Sequence, residues 1–341
     1  MEQKHGVKKW LSALVRLAIL GILLYLVFHD HYPQIRDSLR SVGNWGFCLL
    51  MGAGLVIQLL DAGAVWSVVR SQLPQFSYGQ ALQCSCLGVF SNLITAGVGT
   101  FPVQGYYLHR CGMMGGAGLG IATLSYTLHK TSMLICGVIL FLLERNLLAG
   151  RDPALRVLSW FGFGICAAII VFLVLFCTWD RLRRAIHFLI SKLPDTPAWQ
   201  NRRDSMMRNL DALYEGSRGM LHCPGRVAMA LALHAVKLLW MDAVPLFCLA
   251  LLGLPMLPVG KVMALTALCF LLAGACPSAG GMGPMELAFL LLFSAEIGQA
   301  EASALMILFR CATYFFPFFI STGVAVYAMH HLRKESKYPV D

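Results

Sequence analysis

Charge is what this chain has least of. Of its 341 residues only 13% are Asp, Glu, Lys or Arg, against about 25% in soluble domains. It also lacks a long polar block in which a soluble catalytic domain would sit. The largest, residues 179–226, is too short to bury a sizeable core of its own. There is no CxxC pair, and the one CxC (Cys84 and Cys86) has no His nearby at zinc spacing. The twelve cysteines, mostly inside apolar segments, therefore read as small fillers of helix contacts, and neither a metal nor a cofactor is expected. The G-x-S-x-G, HExxH and Walker A patterns are missing, as is a carboxylate cluster for metal-bound phosphoryl or glycosyl transfer. These absences argue against an enzyme.

What is present is oil. Hydrophobic residues make 58% of the chain, and apolar stretches near the spanning length of about 20 residues occur at 10–28, 44–68, 117–143, 157–178, 226–252 and 304–329. The first follows Lys4, Lys8 and Lys9 but ends in YLVFHD without a small-x-small cleavage site, so it reads as a retained helix. Two further segments, 79–100 and 259–298, are apolar but broken by Gly, Pro and polar residues. The net charge of +10 does not point to nucleic acid, because the cations sit in loops beside the apolar runs, where they set orientation.

The sides follow from those cations. The N-terminal tail, the loop 179–226 with Arg181, Arg183, Arg184 and Lys192, and the tail with Arg333, Lys334 and Lys337 are all expected in the cytoplasm. Counting crossings inward from these anchors leaves both ends of 79–100 on the cytoplasmic side and both ends of 259–298 outside. Each is then a re-entrant hairpin, unless 79–100, at 22 residues, spans outright. The irregular stretches TAGVGTFPVQG (95–105) and CPSAGGMGPME (276–286) would be the hairpin tips. Broken backbone at membrane depth is tolerated only where protein or water satisfies its polar groups. The expected fold is an all-α polytopic membrane protein of one domain over 1–341, with about six full transmembrane helices and two re-entrant helical hairpins. Units at about 44–143 and 226–329 would form an inverted repeat, as in many transporters whose site lies near the midplane.

Ionisable residues inside a bilayer cost a few kcal/mol at least and mark function or pairing. The candidates are Asp61, Lys130, Lys237, Asp242, Glu286, Glu296 and Arg310, with His129 and His234 close by. The plain alternative for Asp61, Lys237 and Asp242 is an ion pair that fixes packing. For His129 and His234 it is a hydrogen-bonded core position, and for Glu296 it is contact with water. Glu286 follows Pro284, a good first helical residue, so it reads either as a local cap or as the partner of Arg310. Gly280, Gly281 and Gly283 would let a phosphate approach the backbone at a helix N-terminus, though Glu286 competes for that ground.

Three stretches carry a family resemblance. GTFPVQGYYL (99–108) keeps Gly99, Pro102, Gln104, Tyr106, Tyr107 and Leu108. PSAGGMGPME (277–286) keeps Pro277, Gly280, Gly281, Gly283 and Glu286, and FRCATYFFPFFISTG (309–323) keeps Arg310, Tyr314, Pro317 and Gly323. Together they resemble the lysylphosphatidylglycerol synthase transmembrane region, a flippase-like domain also found alone, over roughly residues 10–330. The chain departs from the family pattern at Ala96, Phe101, Ala279 and Pro284, and has His129 and Lys130 where many relatives carry Glu-Arg. The resemblance implies the bacterial cytoplasmic membrane. It also implies translocation without lipid synthesis, since no aminoacyltransferase domain accompanies it.

The leading expectation is a lipid translocase whose partners are membrane lipids: an anionic or aminoacylated phospholipid, or a polyprenyl-linked glycolipid. Lys130, Lys237 and Arg310 would attract phosphate; Gln104, Tyr107, Glu286 and the tip glycines would bind polar headgroup atoms; Asp61, Asp242 or Glu286 would couple an ion. The alternatives are a secondary transporter for a small soluble anion and, less favoured, an enzyme acting on lipid headgroups. A homo-oligomer is compatible with all three.

Overall fold

The computed structural model describes residue 40 and residues 42–95, 99–113, 115–148, 153–192, 197–275 and 281–335. The expected helix 10–28 and the tip residue Gly280 lie outside these. Among the described residues the chain is helical throughout, with no strand. Five helices are long and apolar enough to cross a membrane: Gly43–Val69, Gly116–Leu143, Pro153–Cys177, Pro224–Leu251 and Gln299–Ala328. Large apolar side chains such as Leu143, Phe172 and Phe319 face outward, which a bilayer tolerates and water does not. The protein is an all-α polytopic membrane protein.

In chain order the elements are α1 (Gly43–Val69), α2 (Tyr78–Thr95), α3 (Thr100–Arg110), α4 (Gly115–Leu143), α5 (Pro153–Thr178), α6 (Asp180–Ser191) and α7 (Pro197–Leu221). There follow α8 (Pro224–Leu251), α9 (Val259–Gly274), α10 (Pro284–Ile297), α11 (Gln299–Arg310), a π-helical turn (Cys311–Phe315) and α12 (Phe316–Glu335). Helices α5, α7, α8 and α10 each begin on a proline, whose missing N–H costs nothing at a position without an intrahelical acceptor.

Helix α1 lies antiparallel against α8. Ser67 Oγ donates to the Arg226 carbonyl at 3.1 Å near one end, and Trp240 Nε1 donates to the Ala53 carbonyl at 3.1 Å further along. Two helical hairpins flank this pair. In the first, α2 and α3 fold back on each other: Gly99 N–H donates to Thr95 Oγ1 at 2.7 Å near the tip, and Tyr107 OH donates to Gln83 Oε1 at 2.7 Å near the open end. In the second, α9 packs against α10, and Lys261 Nζ bonds Glu296 Oε2 at 2.6 Å across the open end. Glu296 therefore ends in an ion pair.

The stretch 179–226, expected as a loop, is largely helical where it is described. Ile186 and Ile190 of α6 pack on Leu210, Leu213 and Tyr214 of α7. Tyr214 OH donates to the Trp179 carbonyl at 3.0 Å, and Gln72 Nε2 donates to the Gly216 carbonyl at 2.5 Å. Helix α7 in turn packs along α4. The last span begins at Gln299, a few residues before the expected 304, and runs through the π turn.

Candidate functional site

The first hairpin, α1, α4, α8 and the π turn line an open cavity of about 350 Å³, at the lower end of the range for small-molecule sites, about 300–1,000 Å³. On its wall Lys237 Nζ from α8 meets Asp61 Oδ1 from α1 at 2.5 Å. Asp61 also accepts from Ser85 Oγ of α2 at 2.6 Å, and Ser85 accepts from Gln58 Nε2 at 2.8 Å. The spacing explains the chain of bonds: Gln58 and Asp61 are one turn apart on α1 and so share a face. An ammonium and a carboxylate taken out of water attract strongly enough to offset their desolvation only with such supporting hydrogen bonds.

Other walls carry aromatic and amide groups. Phe101 and Tyr126 meet edge to face with ring centres 5.3 Å apart, as do His129 and His234, also at 5.3 Å. Gln104 lines the cavity, its Nε2 donating to the Cys84 carbonyl at 3.3 Å. Tyr314 lines it from the π turn. That turn has a local cause. Phe316 N–H bonds the Cys311 carbonyl five residues back, and Pro317 supplies no N–H at all. Helix α1 closes on the loosened turn at Gly54, where a Cβ would stand 2.5 Å from the Ala312 carbonyl oxygen. π-Bulges of this kind occur often at functional sites.

A second cluster stands at the other hairpin. Gly283, at φ +89°, turns the chain into α10; Glu286 Oε2 accepts from its N–H at 2.6 Å, and Glu286 Oε1 lies 2.7 Å from Arg310 Nε. Both readings of Glu286 thus hold at once: it caps α10 and neutralises Arg310, whose residue is 5% exposed. The Arg310 guanidinium lies 4.3 Å from the Tyr314 ring. Tyr314 therefore joins this cluster to the cavity.

The predicted residues divide accordingly. Asp61, Lys237 and Gln104 share the cavity. Glu286, Arg310 and Gly283 form the second cluster, with Gly281 nearby at φ +77°. Tyr107 is buried and ties the first hairpin together through Gln83. Lys130 is buried on α4 with its ammonium 5.6 Å from the Tyr126 ring. It faces Gly274 at the end of α9 in the second hairpin, where a Cβ would meet Nζ at 2.7 Å. Asp242 is buried on α8, and no hydrogen-bond partner of its Oδ1 lies among the described residues. Sequence reasoning missed Gln58, Ser85, Asn92 and Tyr126. The signal for Gln58 and Tyr126 was polarity inside apolar helices one turn before Asp61 and His129; Ser85 and Asn92, on α2, carried no such spacing. Among the described residues no three His, Cys, Asp or Glu side chains converge as metal ligands.

Comparison with protein families matches the model described as the lysylphosphatidylglycerol synthase TM region over residues 13–321. Comparisons with curated proteins and with solved structures return no match.

Proposed function

Because this chain belongs to the family of the lysylphosphatidylglycerol synthase transmembrane region, its work concerns membrane lipid, and we propose that it is a lipid translocase. On this reading the polar headgroup of a phospholipid or polyprenyl-linked lipid crosses through the bundle while the chains stay in the hydrocarbon, and no covalent bond of the lipid changes. The observation that carries the reading is the cavity of about 350 Å³ with the Asp61–Lys237 pair on its wall, set inside a bundle whose outer face is apolar. A bare headgroup pays a large desolvation penalty in hydrocarbon; a cavity of amides, hydroxyls and a balanced ion pair replaces water along part of that route.

The antiparallel packing of α1 on α8 supports an inverted repeat, with α1–α4 as one unit and α8–α12 as the other. The two hairpins would then dip from opposite faces, with the termini in the cytoplasm of a bacterial cell and the plasma membrane as the site of action. Movement is downhill or ion-coupled, with Asp61 the carboxylate best placed to feel both headgroup and ion.

The test is transbilayer movement in vesicles. Purified protein is reconstituted into phosphatidylcholine vesicles carrying a trace of an NBD-labelled lipid, drawn in turn from anionic, zwitterionic and glycosyl headgroups. Dithionite bleaches only the outer leaflet. Bleaching that continues into the inner leaflet for at least one lipid, and is lost in Asp61→Asn, is expected. Protein-containing vesicles that bleach no further than protein-free ones for every lipid overturn the reading.

A further inference from the structure

The charge state of the cavity wall narrows what it can hold. Among the described residues, and apart from two imidazoles and two phenols, the ionisable side chains lining it are Asp61 and Lys237. They bond each other at 2.5 Å. A phosphate held here would draw Lys237 away from Asp61 and leave two anions sharing one cation; an ammonium headgroup would compete with Lys237 for Asp61. Arg310 does not line the cavity, and its charge is met by Glu286.

The remaining polar wall is uncharged and two-sided. Gln58, Asn92 and Gln104 present amides, and Ser125, Tyr126 and Tyr314 present hydroxyls. Amides and hydroxyls both donate and accept, as do hydroxyl groups on a ligand, whereas phosphate oxygens only accept. Tyr314 OH and Thr100 Oγ1 have no hydrogen-bond partner among the described residues. The edge-to-face pair of Phe101 and Tyr126 adds an aromatic wall. The negative ring faces suit the weakly positive C–H groups of a sugar or polyol.

We propose that this cavity takes an uncharged, polyhydroxylated headgroup, a sugar or polyol carried on a membrane lipid. The inference deepens the translocase reading and rests on it, but binding and movement separate the two. The protein is placed in nanodiscs containing equal amounts of monoglucosyldiacylglycerol and phosphatidylglycerol with the same acyl chains, and retained lipid is counted by native mass spectrometry. The NBD-labelled versions of both lipids are followed in the vesicle assay.

The glucolipid is expected to be retained about tenfold over phosphatidylglycerol, the scale of one or two net hydrogen bonds. Retention should fall severalfold in Tyr126→Phe or Asn92→Ala. Glucolipid retained in preference but not moved leaves the headgroup assignment standing and removes translocation. Phosphatidylglycerol retained in preference overturns the assignment, and phosphatidylglycerol moved in preference overturns it while keeping translocation. No preference, or a glucolipid preference that survives both substitutions unchanged, overturns the assignment as well.

Discussion

Lys237 Nζ of α8 bonds Asp61 Oδ1 of α1 at 2.5 Å, joining two residues 176 positions apart at the wall of the cavity. Lys237 is 6% exposed, so neither water nor bulk ions can replace its partner freely. Removing one member of such a buried pair leaves an uncompensated charge and costs about 3–5 kcal/mol, while replacing both by apolar residues of similar size is often close to neutral.

The first prediction follows from that asymmetry. Asp61→Asn and Lys237→Met should each lower the thermal midpoint in detergent, and the double variant should recover most of the loss. Headgroup movement in vesicles should be lost in all three, because the balanced pair is part of the polar route. Recovery of movement together with stability in the double variant would reduce the pair to a packing device.

The second concerns Glu286 and Arg310. Gln in place of Glu286 can still accept from the Gly283 N–H, since either residue serves in a capping box, but it no longer neutralises Arg310. Glu286→Gln should therefore keep α10 folded while transport falls. Arg310→Ala should be worse in stability as well, because it leaves a carboxylate, 13% exposed as a side chain, beside an emptied site. Wild-type transport in Glu286→Gln would leave Glu286 as a helix cap alone.

The spans were legible in the sequence because about 20 apolar residues in a row have few other uses. The breaks in the hairpins were legible because Gly and Pro sit where helix would otherwise continue, at 95–105 and 276–286, but the first hairpin is longer than the expected 79–100: α2 takes up most of that range and the second arm, α3, runs on to Arg110. Pairing was not. Asp61 and Lys237 were both visible as buried charges, but partners 176 positions apart are chosen by helix packing, which no local pattern records. The helical state of 179–226 was hidden by its cations. Yet Leu182, Ile186 and Ile190, each four residues apart, spell one face of α6, and Ile186 and Ile190 pack on α7. The π turn was foreshadowed only by Pro317, and a proline alone does not say how the helix will adjust.

Asp211 of α7 gives a pH prediction outside the spans. Burial alone would raise its pKa, but hydrogen bonds from His187 and Arg183, with the Arg183 charge beside it, hold it below the usual carboxylate value. A carboxylate depressed in the folded state contributes stability above its unfolded pKa, about 3.9, and loses it as pH falls through the lower folded value. Wild type should therefore exceed Asp211→Asn in thermal midpoint by a constant margin above about pH 5. The margin should shrink as the solution is made more acid. A margin that grows with acidity would contradict the assignment of the bonds to the ionised carboxylate. The pair Arg183–Asp211, at 2.6 Å, is about a third exposed on both sides (32% and 36%), so the margin itself should be small.

The proposal that the two hairpins dip from opposite faces makes a prediction that labelling can decide. Because α2 and α3 fold back with Tyr107 against Gln83, residues just before and just after that hairpin emerge together. The same holds for α9 and α10, closed by Lys261 and Glu296. In single-cysteine variants, native Cys111 and Gln75→Cys report on the first hairpin, and Met256→Cys and Gln299→Cys on the second. A membrane-impermeant maleimide added to right-side-out vesicles should modify positions 256 and 299 and spare 75 and 111, and inside-out vesicles should reverse the pattern. Cys111 is a partly exposed thiol outside any disulfide, so failure to label it from both sides would reflect burial rather than topology; Gln75→Cys, on an exposed turn, resolves that case. Labelling of 75 and 299 from the same side would mean that the units are not inverted. The polar cavity would then need a different route to the two leaflets.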